Sequence, residues 1–385
     1  MKKNIPYGKQ FLDTDDKKSV LKSLTNELIT TGPLVTKFEN DLKKYLKCKY
    51  INVCSSGTAA IHLALLSIGV KKNDIILMPA INFIASYNMA SSLGAKIFLV
   101  DVDKKTGQIT PEHIQSCITK NKIKKIKVLF TMYHGGYPEN IKGFYKLKKK
   151  YHFFLIEDAC HALGSTYRDK KKKLIKVGSC LHSDICTFSL HPVKSITTGE
   201  GGIITTNSKK IFEKIKLYKN HGIKKNKNSY WKYDVILNGF NYRISDINCA
   251  LGISQLKKLD IFILKRKECF NLYFKELNNL NENISIYNYS RDINPSYHLM
   301  LLNINFKIIK DSKDNFINYL NKNSIFPQFH YIPISEFSIS NENKKLNGAI
   351  EYFKNTISIP IFPGLKKKDQ IFIINTIKKY FKKII

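Results

Sequence analysis

The stretch Ile75 to Asp101, IILMPAINFIASYNMASSLGAKIFLVD, joins an apolar run of strand length to a helical spacing of apolar and small residues, and then to a second apolar run that stops at an acid. Ile75 to Met78 reads as a buried strand, about Phe83 to Leu93 as a helix, and Lys96 to Val100 as a second strand ending at Asp101. The unit recurs outward along the chain. Ile51 to Cys54 precedes a helix from Thr58 to about Ser67, Val128 to Tyr133 precedes Ile141 to Lys150, and Phe153 to Ile156 runs into Glu157 and Asp158. Ile185 to Leu190 and Gly202 to Thr206 add two more strands. This alternation predicts an α/β fold with a mostly parallel seven-stranded sheet covered by helices on both faces, and ligands beyond the carboxyl ends of the strands.

From about residue 245 the pattern changes. Helices are expected over Ser245 to Leu259 and Phe262 to Leu280, a strand over Tyr297 to Phe306, a helix over Ser312 to Asn323, a strand-like piece over Phe326 to Tyr331 and a last helix over Lys366 to Lys382. The expected organisation is a large domain over residues 1–255, including the N-terminal segment, and a smaller C-terminal α/β domain over residues 256–385.

The 385 residues are 43% apolar, enough for a sizeable core, and the formal charge is +34. The lysines lie in scattered runs, such as Lys122 to Lys127, Lys148 to Lys150, Lys170 to Lys173 and Lys366 to Lys368, and Lys224 to Asn228 reads as an exposed loop. No single patch interleaves them with aromatics, so the charge reads as biased composition with some help in capturing anions, not as a nucleic-acid surface. No apolar run reaches the roughly 18–20 residues of a membrane span, and the lysines near the start are not followed by an apolar stretch, so the expected place is the cytoplasm. The eight cysteines show no CxxC spacing and are expected as free thiols, with no metal.

Three constellations can carry chemistry. Cys54-Ser55-Ser56-Gly57-Thr58 turns a strand end into a helix start. It is either a phosphate cup, with free amides and small residues, or a plain helix cap. Phe154 to His161, FLIEDACH, delivers two acids and a histidine at a strand end, where a carboxylate could hold a metal, orient a histidine, pair with a protonated heterocycle nitrogen or cap a helix. Thr187 to Gly202, TFSLHPVKSITTGEGG, places Lys194 between a buried strand and a glycine-rich turn, where partial burial frees its amine as a nucleophile, with Ser189 close by to bond a phosphate. Together they fit one cofactor, pyridoxal 5'-phosphate: Lys194 for a Schiff base, Asp158 for the ring nitrogen, and Ser56, Gly57, Thr58 and Ser189 for the phosphate. Phe83 stacks on the ring or packs in the core.

SLHPVKSITTGEGG (Ser189 to Gly202), EDACHALGS (Glu157 to Ser165), SSGTAAIHLAL (Ser55 to Leu65) and GFNYRISDINCALGISQL (Gly239 to Leu256) resemble, in order and over nearly the whole chain, the motifs of the DegT-type sugar aminotransferases. That resemblance implies the fold-type I aminotransferase architecture, with Lys194 as Schiff-base lysine and proton shuttle and Asp158 on the pyridinium. It implies His161 beside the ring, Gly57, Thr58 and Ser189 on the phosphate, and Phe83 on the ring face. Asn241, by its residue type alone a turn residue, would reach the cofactor of a neighbouring subunit in a homodimer with shared sites.

Tyr7, NELITTG (Asn26 to Gly32) and QFHYIPI (Gln328 to Ile334) resemble the branch of this family that aminates a UDP-linked 4-keto-6-deoxy-N-acetylhexosamine, with glutamate as donor, in pseudaminic acid synthesis. Tyr7, Thr31, His330 and Tyr331 are then the substrate-side candidates, His330 being otherwise a histidine at a strand end with no ligand. The alternatives are another 3- or 4-keto nucleotide sugar or, more distantly, a basic non-catalytic binding protein on the same scaffold. Two features depart from the family: Leu190 stands where an aromatic is usual, and Tyr133 to Pro138 is only loosely similar, which bears on sugar specificity. Relatives that run a dehydration carry histidine at the position of Lys194.

Overall fold

The computed structural model describes residues 4–384 apart from 170, 227, 228, 230, 279, 281, 282 and 341–344, so parts of the lysine-rich stretches 170–173 and 224–228 and of the helix expected to 280 lie outside the described residues. Its centre is a seven-stranded sheet in the order Tyr50–Cys54, Gly202–Thr206, Ile185–Ser189, Phe154–Asp158, Val128–Met132, Ile75–Pro79, Lys96–Val100. Gly202–Thr206 runs antiparallel to both its neighbours, and the other pairings are parallel. Apart from the edge strand Lys96–Val100, the strands are buried on both faces, which is why they read as near-continuous apolar runs. Helix Gly57–Ser67 is buried almost all round, as its uniformly apolar and small composition requires. Ile141–Tyr151 and Lys209–Tyr218 instead carry an apolar stripe opposite their lysines.

The register aligns one edge of the sheet. Gly202 is level with both Cys54 and Ser189, Asp158 with Thr187, and Met132 with Asp158. The parallel strands end there and the antiparallel one begins there, so three segments far apart in sequence open onto one rim. Gly202 permits this closeness: a Cβ on it would lie 2.1 Å from the carbonyl oxygen of Ser56.

The later half contains the helices Asp246–Leu256 and Leu259–Leu277, and a three-stranded antiparallel sheet ordered Ile284–Ile286, Met300–Ile304, Thr356–Ile359. Helices Lys313–Lys322, Asn347–Asn355 and Lys367–Ile384 complete it. The strand expected over Tyr297 to Phe306 is shorter because Tyr297 takes a left-handed φ of 52° and His298 and Leu299 donate instead to the Gly135 carbonyl. The strand-like piece from Phe326 is confined to Ile325–Phe326, which pairs in parallel with Ile5–Pro6, and beyond it Gln328 bridges to Ser358. Lys224 and Lys225, expected in a loop, belong to the strand Ile223–Lys225, paired with Tyr233–Val235 in an exposed hairpin. The N-terminal pairing carries Tyr7 into the later half. One hydrophobic cluster runs from Phe38 through Phe262 to Phe381, and the domain division at residue 255, one residue before the end of a helix, stays our proposal.

Candidate active site

A cavity of about 510 Å³ opens at the carboxyl ends of the central strands. One wall is the start of helix Gly57–Ser67. Ser56 caps it, its hydroxyl accepting from the Ala59 amide at 3.0 Å while its carbonyl accepts from Ala60. The amides of Gly57 and Thr58 are left at the helix mouth, where the aligned peptide dipoles favour an anion. A Cβ on Gly57 would come within 2.8 Å of Ser189 Cβ and 3.2 Å of its hydroxyl. Glycine therefore lets the serine lie against the helix mouth, and together they form a cradle for an anion. The helix cap is present, and the small residues of the same turn leave room for an anion beside it.

Asp158 ends its strand at 2% exposure. Oδ1 accepts from the Cys160 amide at 3.1 Å and Oδ2 from the Ser86 hydroxyl at 3.3 Å. Burial pushes its carboxyl above the ordinary aspartate range, against these two donors and the nearby Lys194. Such a carboxylate is short of a cation. Glu157, pointing to the opposite face as strand alternation requires, takes the Tyr133 hydroxyl at 2.7 Å, so only one of the two acids serves the cavity. Among the described residues no group of three or more His, Cys, Asp or Glu side chains is placed to hold a metal ion.

Lys194 sits in a loop closed on itself. Leu190 donates to the Gly201 carbonyl, Thr198 and the Thr197 hydroxyl donate to that of Leu190, and Lys194 donates to that of His191. The side chain enters the cavity. Burial holds its ammonium below the ordinary lysine value, with Cys160 and Asp158 opposing and Arg266 assisting. The amine is thus eased toward its neutral, nucleophilic form.

Phe83 is 54% exposed and lines the cavity, so the core reading of this residue is set aside. Its ring tilts 5.9 Å from that of Tyr331. His161 is buried, and the Gly135 amide donates to its Nδ1 at 3.3 Å. That bond assigns the proton to Nε2, which then donates to the Tyr331 hydroxyl at 3.0 Å. The phenol proton is left to point elsewhere. His161 is therefore oriented by a backbone amide, not by an acid. His330 reaches Ser358 Oγ through Nδ1 at 2.8 Å, and its ring lies 5.0 Å from Tyr7. His134 bonds the Tyr352 hydroxyl at 2.7 Å, and His298 lies 4.2 Å from the His161 ring. Burial pushes all four histidines down, so the cluster is neutral near pH 7.

Ser56, Gly57, Thr58, Phe83, Asp158, His161, Ser189, Lys194, Tyr7, His330 and Tyr331 thus meet in one cavity. Thr31 and Asn241 do not line it. Both are exposed on neighbouring segments tied by a Thr30–Ser245 bridge and an Asn220–Asn241 bridge. Sequence reasoning missed Ser86, His134 and His298. Ser86 could have been found, since it sits three residues beyond Phe83, but the two histidines reach the site only through tertiary packing.

An amine, a carboxylate short of a cation and an anion cradle that a methyl group would fill match the three attachment points of pyridoxal phosphate, and the residues present fit that group. Residues 10–378 match the DegT/DnrJ/EryC1/StrS aminotransferase family. A Campylobacter jejuni protein named UDP-4-amino-4,6-dideoxy-N-acetyl-beta-L-altrosamine transaminase is 36% identical over 99% of this chain and 98% of its own. GDP-perosamine synthase of Escherichia coli O157:H7 is 30% identical over 98% and 99%. The solved structure of Helicobacter pylori PseC, described as an aminotransferase involved in the biosynthesis of pseudoaminic acid, superposes with a TM-score of 0.89 at 28% identity, covering 99% of this chain and 100% of that one. The chain belongs to the DegT/DnrJ/EryC1/StrS aminotransferase family.

Proposed function

We propose that this chain is a pyridoxal-phosphate-dependent aminotransferase that moves the amino group of glutamate to the 4-keto position of a UDP-linked 4-keto-6-deoxy-N-acetylhexosamine. The observation that carries the reading is the convergence of Lys194, Asp158 and the Gly57–Ser189 cradle on one cavity. The sugar follows from the Campylobacter relative, whose name gives a product aminated at carbon 4 and reduced at carbon 6. When bound, pyridoxal phosphate supplies an electrophilic carbon and a ring that draws electrons from the reacting substrate carbon.

The chain's own residues do the rest. The amides of Gly57 and Thr58 and the hydroxyl of Ser189 would hold the phosphate, and Asp158 would keep the ring nitrogen protonated. Phe83 would cover a ring face. Lys194 Nζ takes a proton from the substrate carbon and returns one, a role that its lowered pKa serves. Burial keeps the Tyr331 phenol protonated, and its free O–H donates to a sugar oxygen while His161 fixes its position. Tyr7 and His330 complete that wall.

In this reading the enzyme is a homodimer. Asn241 and Thr31, exposed on one protomer, serve the cavity of a second copy. The exposed apolar residues Leu24, Leu28, Ile29, Trp231, Tyr233 and Val235 lie on the segments that flank them in sequence. The eight free thiols accord with a cytoplasmic place, and no helix among the described residues is long and apolar enough to cross a membrane.

The test is a two-step assay on purified protein reconstituted with pyridoxal phosphate. Glutamate should bleach the visible absorbance and release 2-oxoglutarate, and the UDP-linked 4-keto sugar should restore the colour and appear as an amine. Restoration by a GDP-linked 4-keto sugar alone would move the substrate class. No response to any amino donor would remove the aminotransferase.

A further inference from the structure

Lys313 is the first residue of helix Lys313–Lys322, where a positive charge opposes the helix dipole. Among the described residues no carboxylate forms an ion pair with it. Instead Nζ lies 4.3 Å from the centre of the Phe329 ring and 4.1 Å from that of Phe353, and donates to the Phe353 carbonyl. The two rings meet edge to face at 6.0 Å. Burial lowers the lysine to about 8, with Asp314 opposing, and the amine is held by two π-faces and a carbonyl. Helix stability alone gives no reason for a lysine here.

The two rings belong to different elements, and only Phe329 is a residue of the cavity lining. Phe329 lines the cavity, between Gln328, which is paired with Ser358, and the His330–Tyr331 wall. Phe353 sits in the last turn of helix Asn347–Asn355, whose first-turn amides of Gly348 and Ala349 are held by Asp101 at 3.0 and 2.9 Å, beyond the end of a central strand. In that same helix Tyr352 bonds His134. The clamp thus ties a cavity-lining residue to elements anchored on both the central sheet and the later half.

We propose that Lys313 is a positioning residue for substrate: by clamping Phe329 it fixes the 328–331 wall against which the UDP-linked sugar seats. This rests on the function proposed above. Lys313 touches no reacting atom, so its loss shows in nucleotide-sugar binding and not in the reaction with glutamate.

The experiment compares wild type, Lys313→Met and Lys313→Arg. It measures KM and kcat for the keto sugar, the rate of the glutamate half-reaction, Tm, and the Kd of UDP alone by calorimetry. Lys313→Met should raise the sugar KM and the UDP Kd about fivefold or more, with kcat and the glutamate rate within about twofold, and Lys313→Arg, which keeps a cation between the rings, should recover most of the loss. Unchanged KM and UDP Kd in Lys313→Met would overturn the proposal. So would a parallel fall of the glutamate rate and Tm, or an arginine variant no better than methionine. If wild type itself fails with glutamate and keto sugar, the functional reading fails, and UDP binding still reports separately on the clamp.

Discussion

Tyr331 and His161 share a hydrogen bond of 3.0 Å whose direction is set by the Gly135 amide on the far side of the imidazole. Because Nδ1 is occupied as an acceptor, Nε2 must donate, and the phenol is held as a donor toward the cavity. Tyr331→Phe removes that donor and leaves a buried N–H without its partner. The expected outcome is a loss of about 1–3 kcal/mol in unfolding free energy and about a tenfold lower kcat/KM for the keto sugar. Denaturant melts and steady-state kinetics check both, and an unchanged sugar kcat/KM would remove Tyr331 from the substrate wall.

Gly57→Ala tests the cradle. Alanine suits a helix start, so the fold should hold. The added methyl, 2.8 Å from Ser189 Cβ, must push the serine or the helix mouth away. Titration with pyridoxal phosphate should show a Kd at least about tenfold weaker, which is about 1.4 kcal/mol. Phosphate retention at wild-type affinity would count against this anion site.

Asp158 has a pH signature in the protein without cofactor. Its folded pKa is raised above the model-compound value of 3.8 by burial. Below that value both folded and unfolded chains carry the proton. As pH rises, the unfolded chain ionises first, so the residue's contribution to stability is lost as pH climbs toward the folded pKa. Asn at this position does not titrate. The stability of Asp158→Asn relative to wild type should therefore improve as pH rises from about 4 to 7, while its aminotransferase activity falls by about a hundredfold or more. Apoprotein unfolding measured across that range settles the sign, and a flat difference would mean that the carboxyl is not strained by burial.

Lys194→Ala should turn over no sugar, and borohydride should leave a cofactor-sized mass on the peptide carrying residue 194 in wild type alone. Mixing inactive Lys194→Ala subunits with Asn241→Ala subunits tests the shared site. A hybrid dimer holds one site with both native residues, so random exchange should restore about a quarter of wild-type activity. No recovery after verified exchange would place Asn241 outside the partner's cavity.

The reading from residues alone located whatever is local in the chain. Ser56-Gly57-Thr58 is a strand-to-helix turn, Asp158 a strand end, and Ser189 to Lys194 a strand followed by a closed loop; each is dictated by neighbours within a few residues. The runs of the central sheet declared themselves because strands buried on both faces are mostly apolar, the few polar side chains in them, such as Glu157 and Thr187, being hydrogen-bonded. Sheet order and packing decided the rest. The approach of Ser189 to Gly57 depends on Gly202–Thr206 running antiparallel between two parallel strands, and no local periodicity encodes that. The same holds for the Gly135 amide that sets the His161 tautomer, the Ser86 bond to Asp158, and the Phe329–Lys313–Phe353 clamp. These join elements distant in sequence, and such contacts exist only once the whole core has chosen which surfaces to bury together.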